Sequence, residues 1–457
     1  MSWVDELKAE LGDCIRVDAP TLRAHAGDKW HAAALPQAVA LPRSAEEVAR
    51  VLRFASQRGV PVTARGAGVG YVGGCVPVQG GIVLSTARMN RILEINPADG
   101  VAVVEPGVLT ADLQAACAAQ GWFYPPDPAS RKESSIGGNI ATNAGGPRCL
   151  KYGVTRSYVL GLQVALADGR LLACGGRTHK NKQGFDLVGL FCGSEGMLGV
   201  ITQATLRLIP APPARAALSA SFPRFALAAE AVQRVLPAGH LPCALEITDA
   251  FTLAAARRHL GTDALPADAE GHLILELDGQ RDAVATELAA LAELLRGVGA
   301  SAIAPAHTEA EVEAVWQLRR GFSESLKATG LTKLNEDIVI PRSQLVALVE
   351  FCAEMQRASG IPVACFGHSG DGNIHTNIMV LKDEAGQDLR APADALVQRL
   401  FAWVLAHGGS ITGEHGIGLA KAPWFPGAVG PVAMDVHRAL KSALDPAGIL
   451  NPGKMGL

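Results

Sequence analysis

RGAGVGYVGGCVPVQGG, residues 65–81, contains the pattern G-x-G-x-x-G at Gly68, Gly70 and Gly73. That pattern usually closes a strand and opens a helix whose N-terminus takes a pyrophosphate, with an acidic residue about 20 positions on. Here Gly73 is followed by Gly74, Cys75, Val76, Pro77 and then Gly80-Gly81. Proline and paired glycines forbid a helix at that place, so the loop does not belong to a Rossmann-type βαβ unit. Two further glycine-rich stretches lie downstream, 134–146 and 193–199. One such loop reads as an ordinary turn. Three stretches of bare backbone amide in one region suit a pyrophosphate and an extended cofactor.

The surrounding chain is long and globular. Its 457 residues exceed one ordinary core, so two or more domains are expected. Apolar residues make up 49% and charged residues 19%, with net charge −3, which excludes a disordered chain and a basic nucleic-acid-binding surface. Nine cysteines are scattered without a CxxC, which argues against thiolate zinc sites and iron–sulfur clusters and fits a reducing cytoplasm. The start MSWVDELKAELGDC resembles neither a signal nor a transit peptide. No apolar run of 18 residues is present.

Helix and strand signals alternate along the chain. Ser44-Ala-Glu-Glu47 opens a helix to about Arg58. Strands are expected at PVTA, IVLS and VAVV, a helix at 110–120, and an Asp168-Gly169 hairpin joining LGLQVALA to LLACGG. PAPPARA (210–216) is a proline-rich linker. Beyond it, helices are expected at 224–236, 248–259, 282–297, 308–329, 343–358, 391–407 and about 431–444, with strands near 216–222 and 273–279.

RGAGVGYVGG, PPDPASRKESSIGGNIATNAGG and GSEGMLGVIT together resemble the FAD-binding domain of the p-cresol methylhydroxylase/vanillyl-alcohol oxidase flavoproteins. GHSGDGNIH, GGSITGEHGIG and LNPGKM resemble its D-2-hydroxy acid dehydrogenase branch, which holds D-lactate dehydrogenases, glycolate oxidase FAD subunits and D-2-hydroxyglutarate dehydrogenases. The resemblance spans roughly 37–457. It implies an α+β chain: a lead-in at 1–36, a two-subdomain FAD-binding domain at 37–212, an antiparallel-sheet α+β substrate (cap) domain at 213–408, and a helical C-terminal segment at 409–457 returning to the FAD domain. It implies FAD contacts from Arg65, Gly66, Ala67, Gly68, Val69, Gly70, Gly73 and Gly74. Pro126, Asp127, Ser134, Gly137, Gly138, Asn139, Thr142, Glu195, Gly199, Ile201 and Asn451 complete the implied cofactor set. Some relatives attach FAD through a His in the first loop. Val69 stands at that position, so FAD is expected to be non-covalent.

GHSGDGNIHTN (367–377) carries two histidines around Asp371-Gly372. A two-residue type I′ turn there would set His368 directly opposite His375, with Asn377 on the same face. A hairpin with two unrelated histidines reads equally well from this stretch alone. The polar sequence TGEHGIG (412–418) supplies a third element, the carboxylate of Glu414. His₂Glu is a catalytic metal set that leaves open positions. The resemblance implies the same trio, His368, His375 and Glu414, as ligands of a divalent metal, zinc or manganese. Neighbours in an extended segment face opposite ways, so His415 is free to act as the base. His407 and His437 lack such surroundings.

The resemblance also singles out Arg319, Ser323 and Lys333 for a substrate carboxylate, with Asn377 nearby. Ser323 stands where D-2-hydroxyglutarate dehydrogenases have Thr. Glycolate oxidase subunits tend to differ at Asn377. The expected activity is metal-assisted oxidation of a D-2-hydroxy acid, D-lactate first and D-2-hydroxyglutarate second, by hydride transfer to FAD. An external acceptor (quinone, cytochrome, electron-transfer flavoprotein or iron–sulfur subunit) would take the electrons. The alternatives are a glycolate oxidase FAD subunit in a larger complex and a metal-independent flavin oxidoreductase of the same family. A catalytically silent subunit is disfavoured by the intact metal and base motifs. The expected setting is cytoplasmic, with any membrane association through a partner, no nucleic acid, no membrane span, and a homodimer as the default assembly.

Overall fold

The computed structural model describes residues 2–261, 265–383 and 386–457. They form two compact units. The first comprises Met1–Gly146, Gly153–Ala211 and Glu414–Leu457, the second Pro147–Tyr152 and Pro212–Gly413.

The first unit holds two main sheets. In one, Val62–Arg65 and Ala38–Ala40 both run parallel to Ile82–Ser85, and Ile15–Arg16 pairs antiparallel at the edge. Helix Ala45–Arg58 makes the crossover. Its start is set by Ser44, whose hydroxyl accepts from the Glu47 amide at 3.3 Å, while the Glu47 carboxylate accepts from the Arg43 amide. Gly59 at φ +64° ends it. Val48, Val51, Leu52, Phe54 and Ala55 lie on its buried face against Ala38, Val62, Ile82 and Leu84. Each large apolar side chain so buried contributes roughly 1.5–3 kcal/mol, so a charge at Val51 would remove the helix from its sheet. The second sheet is antiparallel, in the order Ile92–Asn96, Val101–Val104, Val200–Arg207, Val159–Ala165, Leu171–Gly175.

Residues 66–81 join the Val62–Arg65 and Ile82–Ser85 strands and contain no helix, as Pro77 and the glycines require. The 134–146 stretch, in contrast, is more ordered than its glycines suggest. Ile136–Thr142 is a short helix capped by Ser135, whose hydroxyl accepts from the Gly138 amide. A Cβ on Gly137 would lie 2.5 Å from Pro106 Cβ, so glycine permits the helix to pack there.

The second unit is built on one seven-stranded antiparallel sheet. Its order is Ala302–Ala306, Ala214–Phe222, Gly271–Gly279, Ala244–Asp249, Val363–His368, Asn373–Val380, Thr332–Val339. The helices Phe225–Val235, Ala250–Leu260, Arg281–Val298, Glu309–Lys327, Leu345–Ser359 and Arg390–Ala406 follow the expected ranges closely. Three strands, Ala244–Asp249, Ala302–Ala306 and Thr332–Val339, were not expected. Ala244–Asp249 is buried on both faces and so lacks the alternation that marks a half-exposed strand.

The chain passes from one unit to the other at Ala211/Pro212, inside the proline-rich stretch. Residues 147–152, read from sequence as part of the FAD domain, belong to the second unit. Arg148 pairs with buried Glu276 at 3.1 Å, and Tyr152 donates to Asp278 at 2.7 Å. Residues 409–413 also lie in the second unit, where the Ser410 amide donates to Val339 O and the Gly413 amide to Asp337.

Candidate active site

The first unit carries a cleft walled by residues 64–72, 128–145 and 194–201, together with Glu414 and His415. Of the expected cofactor residues, Arg65, Gly66, Ala67, Gly68, Val69, Gly70, Gly74, Ser134, Gly137, Gly138, Asn139, Thr142, Glu195, Gly199 and Ile201 line it. Gly73, Pro126, Asp127 and Asn451 do not. Asn451 is fully buried behind the wall, where its side-chain amide donates to Gly74 O at 2.9 Å and Glu195 O at 2.7 Å and so ties two loops together. Gly73 backs onto the Trp30 ring, and the Pro126 carbonyl accepts from Gln114.

The cleft fits FAD on three observations. The Arg65 guanidinium folds over Gly68, at φ +73°, where a Cβ would lie 2.0 Å from Arg65 Nη2, so the loop must be bare. Side chains at Gly70 and Gly74 would meet nothing closer than 3.4 Å and would fill open cleft. Asp28, which the sequence reading missed, reaches the wall with Oδ1 accepting from the Trp30 amide. Its buried Oδ2 has no partner among the described residues, an acceptor suited to a ligand hydroxyl or amino group. Burial pushes that carboxyl upward.

The segment after Glu414 is pinned from inside the same unit. Glu195, held at φ +48°, accepts the Ile417 amide at 2.7 Å and the Gly418 amide at 2.8 Å. Its carboxylate thus fixes the GEHGIG segment. Gly416 is required there, because a Cβ would lie 2.6 Å from Glu195 Oε1. His415 stacks on Tyr71 of the first glycine loop, centroids 5.1 Å apart and planes at 30°. The base candidate therefore lies against the cofactor cleft.

In the second unit, the 367–377 hairpin departs from the expected register. His368 pairs with Asn373 and Phe366 with His375, closing a four-residue loop, Ser369–Gly372. The neighbouring strand extends the loop: the Ser369 hydroxyl and Gly370 amide both donate to Leu245 O, at 3.0 and 3.1 Å. Gly372 adopts φ +88°, and its carbonyl accepts from the Ile340 amide. A two-residue shift preserves the pleat, so His368 and His375 still share a face. They are diagonal neighbours, with ring centroids 5.4 Å apart and planes at 83°.

Each histidine faces a carboxylate directly across the sheet, which the sequence reading also missed. Glu246 pairs in register with His368, and Asp337 with His375. His368 Nδ1 lies 2.5 Å from Glu246 Oε1, and His375 Nδ1 3.9 Å from Asp337 Oδ1. Both acids are buried. Burial alone would raise the Glu246 carboxyl, but the Arg319 charge and the hydrogen bonds from His368 and Arg319 outweigh it and hold it at about 2. Asp337 also accepts from the Thr412 hydroxyl at 3.1 Å and the Gly413 amide at 2.9 Å. Glu414 is one peptide bond further on. Two imidazoles backed by carboxylates are the donor types that hold a divalent metal, so these residues fit such an ion.

The same sheet face carries the expected substrate contacts. Lys333 donates to Ser323 Oγ at 2.8 Å, so these two meet. Burial lowers the Lys333 ammonium to about 8, with the charge of Lys327 adding to the fall. Arg319 is turned differently from expectation. Its Nε and Nη2 both donate to Glu246 Oε2, at 2.6 and 2.5 Å, leaving Nη1 for any other partner. Asn377 donates to Ala364 O and His375 O, both at 3.0 Å. Its Oδ1 has no partner among the described residues, nor has Oδ1 of Asn335, the residue directly opposite. His407 and His437 pack instead on Trp403 and Phe425.

A bare, glycine-walled cleft over paired sheets, with a separate antiparallel-sheet unit, defines a flavoprotein of the p-cresol methylhydroxylase architecture. The structure of that enzyme with substrate bound matches over 100% of this chain and 96% of its own, at TM-score 0.79 and 19% identity. Residues 36–175 match the FAD binding domain, and residues 211–455 match the C-terminal domain of FAD linked oxidases. Glycolate oxidase subunit GlcD of Bacillus subtilis (strain 168) is 38% identical over 421 residues, covering 92% of this chain and 89% of that one. D-lactate dehydrogenase of Archaeoglobus fulgidus is 34% identical over 464 residues, covering 100% and 99%. The chain belongs to the FAD-linked oxidase family: it is an FAD-binding oxidoreductase.

Proposed function

We propose that this enzyme oxidises a D-2-hydroxy acid, D-lactate in first place, to the 2-oxo acid. The observation that carries the reading is the buried face on which His368, His375, Asn377 and Lys333 stand together, each with a defined partner. The two curated relatives support the class, since glycolate and D-lactate share an α-hydroxyl and a carboxylate.

The charge on this face favours a monocarboxylate. Glu246 neutralises most of the Arg319 guanidinium, so Lys333, with Ser323 and the remaining Arg319 Nη1, is left to hold one carboxylate. The second carboxylate of D-2-hydroxyglutarate would lack a comparable cation, which ranks it second. The orphan acceptors of Asn335 and Asn377 suit a donor such as a hydroxyl.

His415 takes the hydroxyl proton, its ring kept in place by Tyr71 and the backbone just after it by Glu195, through the Ile417 and Gly418 amides. His368, His375 and Glu414 would hold a zinc or manganese ion, which when bound supplies Lewis-acid polarisation of the α-hydroxyl. The glycine-walled cleft from Arg65 to Gly74 would hold FAD, without a covalent bond because Val69 offers no nucleophile, and the flavin would supply the hydride acceptor. An external acceptor would take the electrons.

Anaerobic bleaching of the flavin by a panel of D- and L-2-hydroxy acids tests the proposal. D-lactate is expected to bleach it fastest, D-2-hydroxyglutarate and glycolate more slowly, and L-lactate negligibly. Bleaching by glycolate alone would transfer the reading to a glycolate oxidase subunit. No bleaching by any hydroxy acid would reject the class.

A further inference from the structure

We infer that Glu246 is the positioning residue of His368, fixing its ring as the Nδ1–H tautomer, with Arg319 as the buried counter-ion that holds the Glu246 carboxylate in place. The inference rests on the proposed reading for the identity of the ion that His368 would hold, and on geometry for the rest.

Glu246 and His368 are directly opposite across two central strands, so the contact is built into the sheet register and does not depend on a loop. The acid is 1% exposed and the imidazole 4%. An ionised carboxylate only accepts, so the nitrogen 2.5 Å from Oε1 must carry the proton. Nε2 is then the ligating nitrogen. Hydrogen bonding of this kind sets ring orientation and raises ligand basicity.

Both oxygens of Glu246 are committed. Oε1 takes His368, while Oε2 takes Arg319 Nε and Nη2. The guanidinium in turn lies over the Phe366 ring, 4.8 Å from its centroid, on the strand that carries His368. A lone buried carboxylate would be costly and mobile in charge state. Paired this way it is a rigid acceptor. This also explains why Arg319 offers only Nη1 toward a substrate.

The sequence carries a faint trace of the arrangement. Glu246 sits in LEIT, between apolar residues of a strand buried on both faces. Such a position rejects a carboxylate unless it has a fixed partner. A purely architectural ion pair is the competing account, and the two differ in what happens at the imidazole.

The test uses the FAD-loaded protein, stripped of metal by chelator and titrated with zinc by calorimetry. The variants are Glu246→Gln, Glu246→Asp and the double variant Glu246→Gln/Arg319→Met, which leaves no lone buried charge if the single variant fails to fold. Zinc affinity is expected to fall about 10- to 100-fold in the Gln variants, with partial recovery in Asp, while flavin content and melting temperature stay near wild type in the double variant. In the metal-free wild type labelled with 15N-histidine, the His368 signal, assigned by its absence from His368→Gln, is expected to be the Nδ1–H tautomer. It should become a tautomer mixture in the double variant. Unchanged zinc affinity together with an unchanged tautomer in a folded variant overturns the inference. A wild-type protein that binds no zinc or manganese would instead overturn the metal part of the proposed function, while the tautomer signal would still decide the role of Glu246.

Discussion

His415 and Lys333 bear the sharpest expectations at the level of single residues. His415 lies in the cofactor cleft against Tyr71, and removing its imidazole leaves the glycine loops that make up the rest of the wall in place. His415→Ala is therefore expected to lower flavin reduction by D-lactate about 10²- to 10⁴-fold, with FAD and metal content unchanged by absorbance and elemental analysis. Near-wild-type reduction would remove His415 from the proton-transfer role. Lys333 loses its charge above about pH 8 because it is buried. Its hold on a carboxylate is full below that pH, so kcat/KM should fall about tenfold per pH unit above it. Lys333→Arg, charged throughout, should abolish that limb. The stability effect has the opposite sense. Between about pH 8 and 10.5 the unfolded chain binds the proton that the folded chain has released, so stability rises with pH across that window. Titration of the denaturation midpoint against pH reads it. The types of these residues were legible in sequence. Their charge state was not, since it depends on burial.

At the level of elements, the hairpin carrying the two histidines shows how neighbours override a local rule. Asp371-Gly372 favours a two-residue turn, yet Ser369 and Gly370 are drawn out to Leu245 O on the adjoining strand. The register moved by two residues, and the shared face survived because side chains alternate with a period of two. A move of one would have separated the imidazoles. Gly372 is the point on which the loop depends, since a Cβ there would lie 2.1 Å from Ile340 O at φ +88°. Gly372→Ala is expected to cost about 1–3 kcal/mol, read by urea denaturation, and to weaken zinc binding as the rings part. Unaltered stability would show that the loop accommodates the methyl group without strain. The strand Ala244–Asp249, unseen in sequence because it is buried on both faces, supplies both the loop anchor and Glu246.

For the molecule as a whole, the cofactor cleft and the imidazole face are made by different segments. The cleft belongs to the unit of residues 1–146, 153–211 and 414–457, and the imidazoles to the other. Chelation is therefore expected to abolish turnover while the protein remains yellow, with activity restored by zinc or manganese. Full activity in protein shown by elemental analysis to be metal-free would exclude the metal role. Among the described residues no helix is long and apolar enough to cross a membrane.

What the sequence determined by itself was the chemistry available: glycines that rule out a helix after residue 73, three loops of small residues, two histidines flanking one turn, and a histidine beside a glutamate. These follow from local sterics and periodicity, which act over a few residues. Only the tertiary structure decided which strand met which. It set Glu246 against His368, Asp337 against His375, and Glu195 against the amides of Ile417 and Gly418, turning Arg319 from a presumed substrate clamp toward a buried carboxylate. Such pairings join residues from 38 to more than 200 positions apart, so their energies arise from burial and register, which no short window of sequence contains.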